Sequence, residues 1–266
     1  MGLLYRTSGI LRYMNISVIT LFPLVIQPFF TTSIMKRATE AGKVSIKTVD
    51  LRDFALDSYG TVDDRPYGGG AGMVLRIEPL HAALKQVDPN HRAHRVLTSP
   101  RGAVWNQSKA IEYSKKNNLI IIAGHYEGFD DRITQYIDEE VSVGDYVMTG
   151  GELAAAVVVD SVVRLLPGVL KKEDAAAIES FMPVAIDELE KAVGSTPELQ
   201  HLRRVQKRTT VSLLEYPHFT RPQNYEHASV PEVLLSGNPR QLRTWQLREA
   251  YRITKARRPD LLGPQK

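Results

Sequence analysis

The chain contains no cysteine, which excludes a disulfide framework and any thiolate-ligated metal site, and suits a cytoplasmic protein. It has no run of 18 apolar residues, so no segment reads as a bilayer span. The opening MGLLYRTSGILRY sets arginines inside its short apolar stretch, against a secretory leader, and Arg6 stands where a myristoylation signal needs Ser or Thr. Internal repeats and low-complexity tracts are also missing. What remains is an ordinary soluble composition, 43% apolar and 24% charged, in 266 residues. That length suffices for a well-buried core in one large domain or two smaller ones.

The net charge of +4 is unevenly distributed. Residues 201–258 hold 12 Lys/Arg against 4 Asp/Glu, and the remainder holds 22 against 26. A basic C-terminal segment on a mildly acidic body suits a polyanion, most simply nucleic acid, and equally suits a solvated helix face.

Alternating apolar segments predict an α/β fold with a largely parallel sheet covered on both faces. NISVIT (15–20), VSIKTVD (44–50), RVLTSP (95–100), LIIIAG (119–124) and VSVGDYVM (141–148) read as strands. Helices are predicted from about Leu24 to Gly42, over AVWNQSKAIEYSKKNN, and over ELAAAVVVDSVVRLL (152–166). Beyond Pro167-Gly168 the chain turns polar. Two short helices are predicted there, one over about 183–193 and one capped by Thr196 with Pro197 first. TRPQNYEHASVPEVLLSGN reads as loop, and a basic helix follows it, with Leu242, Trp245, Leu247 and Tyr251 available for packing.

Three segments carry chemistry. DDRPYGGGAGM (63–73) lets backbone N–H groups approach an anion, although it lacks the Gly-Lys-Ser/Thr ending of a P-loop; a surface turn is the plain alternative. SVGDYVMTGGELA (142–154) is not G-x-G-x-x-G, yet its bare backbone suits an adenine or ribose as well as tight helix–strand packing. AGHYEGFDDR (123–132) follows a strand, where ligands gather in open α/β sheets, and its Glu127 offers an acceptor.

The strings ISVITLFP, TVDDRPYGGGAGM, LTSPRG, GHYEGFDDR, IDEEVSVGDYVMTGGELAAAVVVDSVVRLLPGVL, LLEYPHFTRP, VPEVLLSGN and RRPDLL occur in one order from Met14 onward. In them the chain resembles the bacterial tRNA (guanine-37-N1)-methyltransferases, members of the SPOUT class. That resemblance implies a parallel-sheet SPOUT domain at 14–170 with a deep C-terminal trefoil knot, an exception to the usual rule against threading. It further implies a linker with an insertion at 171–212 and a small α-helical tRNA-binding domain at 213–266. Residues 1–13 are expected to be an extension, with Met1 or Met14 as the start.

The implied activity is methyl transfer from S-adenosylmethionine to N1 of guanosine 37 in tRNA, by a cytoplasmic homodimer. Carried over, the donor site comprises Leu97, Thr98, Ser99 and Pro100; Gly124, Tyr126 and Glu127; Val143, Gly144, Asp145, Tyr146, Val147 and Met148; and Gly150 and Gly151. Arg164 would steady guanine O6. Glu179, in Glu179-Ser180-Phe181 where the family usually has Asp-Ser-Phe, would be the general base, with Asp174 and Asp187 as fallbacks. Asp64, Arg65, Gly68, Gly69, Gly70, His218 and Arg221 are candidates for touching the tRNA. No carboxylate cage for a metal is visible, and any assisting Mg2+ would be held by solvent or RNA oxygens.

Departures from the pattern are His125, Ala154, Pro239 and a stretch from Met182 to about Thr210 where the family has a short link. The end of that stretch, HLRRVQKRTT, suits tRNA phosphates or a simple helical spacer. Two rival functions stand beside the leading one: an RNA-binding module that has lost catalysis, and a knotted methyltransferase of ribosomal RNA.

Overall fold

The protein is described by a computed structural model covering residues 13–170 and 179–263. It forms two compact units, one through Lys171 and one from Lys172.

The first unit runs β1 (Met14–Thr20), α1 (Pro23–Phe30), α2 (Ser33–Glu40), β2 (Val44–Asp50), β3 (Asp63–Asp64) and β4 (Val74–Leu75). It continues through α3 (Ile77–Val87), β5 (His94–Val104), α4 (Gln107–Tyr113), β6 (Asn118–Ile122), β7 (Glu139–Ser142) and α5 (Glu152–Val163). Five strands make one sheet in the order β2-β1-β6-β5-β7, every pair parallel. Successive side chains on a strand point to opposite faces, and both faces are buried. Ile16, Val18, Val96 and Ile121 join Ile26, Met35, Val158 and Val162 on one side. Ile19, Leu97, Ile120 and Ile122 join Leu80, Ala83 and Leu84 on the other. The continuous apolar run Leu119–Ile122 of β6 reflects this double coverage.

Several boundaries differ from the sequence reading. The helix expected from Leu24 to Gly42 is two helices, separated at Thr31 and Thr32, with Ser33 at φ 49° opening the second. The helix expected from Ala103 begins at Gln107, where the Asn106 side chain accepts from Lys109 N at 3.1 Å and caps it. The strand expected over 141–148 ends at Ser142, and residues 143–151 form a loop instead. Helix α3 was not anticipated.

Strand β5 carries the feature that opens the site. Thr98 and Ala103 both pair with Val141, so Ser99–Gly102 are extruded as a bulge. A Cβ on Gly102 would lie 2.4 Å from Val141 N. Only glycine lets the strands close again directly after the bulge.

The second unit contains β8 (Pro183–Ala185), α6 (Ile186–Val193), α7 (Pro197–Arg204) and β9 (Thr210–Ser212). The ribbon strands β10 (Asn224–Tyr225) and β11 (Ala228–Ser229), the 19-residue α8 (Pro239–Arg257) and a 3-10 turn at Pro259–Leu262 follow. Thr196 caps α7 by accepting from Leu199 N, with Pro197 first, as the sequence predicts. The stretch expected as a linker is not a separate connector. Strands β8 and β9 pair antiparallel at its base. Ile186, Leu189, Leu199 and Leu202 share one core with Leu247, Tyr251 and Leu262. The amphipathic spacing of α6 and α7 leaves each an apolar stripe, and α8 supplies the surface that buries it. Of the expected packing residues on α8, Leu247 and Tyr251 are buried, while Leu242 and Trp245 are half-buried.

Polar contacts fasten α7 to α8. Glu198 accepts from Lys255 Nζ at 2.6 Å and from Tyr251 Oη at 3.0 Å. The Lys255 hydrogen bond is the main cause holding the Glu198 carboxyl down to about 2. A carboxylate with a depressed folded pKa contributes stability above its unfolded value, about 4.3, and loses it as pH falls toward the folded value. Glu198→Gln is therefore expected to flatten the acid-side fall of the second unit's urea midpoint between about pH 4.3 and 2. An acid limb as steep as in the wild type would remove Glu198 from this role.

Candidate active site

The bulge of β5 and the loops that leave the C-terminal ends of β6 and β7 surround a half-open cavity of about 420 Å3. Small-ligand pockets commonly occupy roughly 300–1,000 Å3. Its walls are Thr98–Arg101 from the β5 bulge, Gly124–Phe129 after β6, and Val141–Gly144 with Tyr146–Gly151 around the end of β7; Ala154 of α5 completes the lining.

The loops are locked together by short backbone contacts. Gly151 N donates to Gly124 O at 2.6 Å, and His125 and Gly150 form an antiparallel bridge. Thr98 Oγ1 donates to Ile122 O at 3.1 Å and accepts from Gly124 N at 3.4 Å. A Cβ on Gly151 would sit 2.3 Å from that same Oγ1 and 2.6 Å from Gly124 N. The glycine pair therefore serves close approach of loop to strand. The first glycine-rich segment reaches the same place, because Glu127 N donates to Met73 O at 3.0 Å.

Below the cavity, Glu152 is 4% exposed and accepts from Thr20 Oγ1 at 2.8 Å. His125 packs against Phe22, with ring centroids 4.7 Å apart. Its Nδ1 lies 3.6 Å from Glu152 Oε2, buried and without a hydrogen bond. On the rim, Tyr126 adopts φ 59° and stays 44% exposed. A bulky side chain in that backbone region costs on the order of 1–3 kcal/mol, and here it holds an aromatic ring at the cavity mouth. Arg101 is anchored by Asp131 Oδ1 at 3.0 Å. Arg132 beside Asp130 holds that carboxyl below its ordinary range.

Of the residues expected at the donor site, thirteen line this cavity; Leu97 and Asp145 do not. Leu97 is fully buried and points to the α3 side of the sheet, and Asp145 is exposed on the outside of its loop. Eight lining residues lie outside the expected set, namely Arg101, His125, Gly128, Phe129, Val141, Ser142, Thr149 and Ala154, although all sit inside the motif strings. Position within those strings was the available signal; which side chains turn inward was not.

Arg164 ends α5, half-buried. Asp64 and Arg65 lie at and beside β3, and Gly68, Gly69 and Gly70 follow in the exposed turn before β4. In the second unit the Glu179-Ser180-Phe181 string is pinned to the segment 213–215. Ser180 Oγ accepts from Glu215 N at 2.9 Å, and Phe181 N donates to Leu213 O at 2.7 Å. His218 Nε2 lies 2.8 Å from Glu215 Oε1, and Arg221 is exposed. Asp187 is exposed and paired with Arg203. Asp174 and residues 1–12 lie outside the described residues. Among the described residues no cluster of three acidic or imidazole side chains could hold a metal ion, and no helix is long and apolar enough to cross a membrane.

A parallel α/β sheet with a half-open cavity at the carboxyl ends of its strands, walled by glycine-rich loops, is the arrangement in which open α/β sheets commonly hold ligands. The sequence model of the family described as tRNA (Guanine-1)-methyltransferase TrmD matches residues 14–264, and the chain belongs to that family. The tRNA (guanine-N(1)-)-methyltransferase of Anoxybacillus flavithermus is 44% identical over 252 residues, covering 94% of this chain and 91% of the relative. Its namesake in Desulfitobacterium hafniense is 45% identical, covering 94% and 85%. That of Geobacillus kaustophilus is 43% identical, covering 94% and 91%.

Proposed function

We propose that this chain methylates N1 of a guanine in tRNA, and specifically guanosine 37, using S-adenosylmethionine. The observation that carries the reading is that the family match spans all three loops of the strand-end cavity. The cavity fits the donor: it has the size of a small-ligand site, its walls offer backbone groups to an adenine and ribose, and His125 Nδ1 is a buried polar atom without a hydrogen bond. Thr98–Pro100, Gly124–Glu127 and Val143–Gly151, without Asp145, would hold it. When bound, S-adenosylmethionine supplies a sulfonium methyl group, which needs alignment more than activation.

The chain's own work falls on the guanine. Neutral guanine carries a proton on N1 and is a poor nucleophile there, so a base must take that proton as electron density moves to O6. Glu179 takes the proton, and Arg164 steadies the charge at O6. The anchoring of Ser180 and Phe181 to residues 213–215 supports this role, because it restricts where the preceding carboxylate can swing. Asp64, Arg65, Gly68–Gly70, His218 and Arg221 are exposed or half-buried and suit contact with RNA. An assisting Mg2+ finds no ready cage among the described side chains, so no step is assigned to it.

The same reading includes the deep trefoil knot through the loops of β5, β6 and β7, and a homodimer. The dimer is supported by α1 and α5, which touch each other and leave Leu24 81%, Val25 56%, Leu153 60% and Val157 48% exposed. An exposed apolar face of this kind suits burial against a second copy.

The test is tritium transfer from labelled donor to a tRNA transcript with G36-G37, to its G37→A control, and to ribosomal RNA. Label in the G37 transcript alone is the expected result. Label in ribosomal RNA would reassign the substrate, and none anywhere would leave an RNA-binding module.

A further inference from the structure

The two-helix hairpin of residues 183–212 has no role in the chemistry above, yet it is firmly built into the second unit. Its charges are sorted in a way that the sequence does not reveal. It holds four acids and five Lys/Arg. Every acid is consumed by an ion pair within the unit: Asp187 and Glu190 by Arg203, Glu188 by Arg243 and Glu198 by Lys255. Arg204, Lys207 and Arg208 make no ion pair with any described residue, and all three are exposed.

They are also gathered in one place. Beyond α7 the chain turns back on itself, with Lys207 at φ 53° and Arg208 N donating to Leu202 O at 3.0 Å. This folded turn presents the three cations within five residues. Packing of α6 on α7 (Asp187 and Glu190 with Arg203) and of the hairpin on α8 (Glu188 and Glu198) thus spends the acids internally and leaves an uncompensated positive knob outside.

We propose that the turn Arg204–Arg208 is an RNA-backbone contact of the second unit, binding tRNA phosphates without reading base sequence. This rests on the tRNA reading above and adds a contact made by the hairpin. Exposed cations on a surface turn gain little from protein partners in water. Against a phosphate backbone each one releases condensed counterions, which yields affinity that falls steeply with salt. Guanidinium groups at two of the three positions suit bidentate phosphate contact.

The test uses the full chain with Arg204→Gln, Lys207→Gln and Arg208→Gln combined, and a charge-matched control with Lys36→Gln, Arg37→Gln and Lys85→Gln in the first unit. For the first variant, tRNA dissociation constants are expected to rise about tenfold or more near 0.1 M salt. The slope of log affinity on log salt should become shallower by roughly 2–3. KM for tRNA should rise in step while kcat at saturating tRNA is kept, and the control should stay within about twofold. Arg204→Lys with Arg208→Lys should retain most binding, which separates loss of charge from loss of fold. Equal weakening in variant and control would overturn the proposal, since net charge alone would then account for it. Unchanged tRNA binding in a wild type and variant that both methylate tRNA would also overturn it, leaving the enzymatic reading intact and pointing to an acidic protein as the knob's partner. A wild type that neither binds nor methylates tRNA would overturn both.

Discussion

Glu179→Gln is expected to slow single-turnover methylation of a G37 tRNA by about 10²–10⁴-fold, the usual contribution of a positioned general base. The amide keeps the size and the hydrogen-bonding reach of the side chain but cannot accept the N1 proton. Affinities for donor and tRNA should therefore change little, and the loss should sit in the chemical step. Glu179→Asp retains a carboxylate one methylene closer to the backbone and should recover part of the rate. The anchors on Ser180 and Phe181 leave the backbone little room to follow it. Near wild-type turnover by Glu179→Gln would sink the assignment. Asp187 is a poor substitute, since Arg203 already engages it; Asp174 would be the next residue to test.

Gly151→Ala should be among the most damaging single-methyl changes at the cavity. The new Cβ would lie 2.3 Å from Thr98 Oγ1 and 2.6 Å from Gly124 N. The hydroxyl could rotate away, but the backbone nitrogen belongs to the β6 loop and cannot yield without moving the cavity wall. Overpacking of this kind typically costs about 1–3 kcal/mol, and here the strain falls on the loops that shape the pocket. Donor affinity measured by calorimetry is expected to drop at least tenfold, with a lower thermal midpoint. Gly194→Ala, in the second unit, meets nothing within 4 Å and bears only the cost of its own φ of 81°, whereas Gly151 sits at φ −84°, so it shows what a strained methyl away from the cavity does to donor binding. If both variants bound donor as the wild type does, the close packing of Gly151 would have no bearing on the site.

The strands and their order of appearance were legible because a doubly covered parallel sheet needs β-branched and apolar runs, continuous in LIIIA and interrupted by Asn15 and Ser17 in NISVIT. The cap at Thr196 and Pro197 was legible because helix starts use local chemistry. Local signals failed where two structures share a composition. VSVGDYVM reads as a strand throughout, yet only Ser142 and the residues before it pair, because β7 is needed as a strand only as far as β5 faces it. Likewise, the polar stretch from 182 to 210 resembles a connector until α8 covers the apolar stripes of α6 and α7.

The sequence by itself determined the α/β pattern, the strings that align with one family, and the chemistry those strings can offer. These depend on residue type and near neighbours, which survive in a one-dimensional reading. The tertiary structure decided the rest. It showed that Ser99–Gly102 bulge into a cavity, that Leu97 and Asp145 turn away from it, and that Gly150 and Gly151 exist to let three loops touch. It also decided which charges are spent inside the second unit and which are left for a partner. Such outcomes depend on residues far apart in the chain meeting at a few ångströms, a condition that packing alone sets.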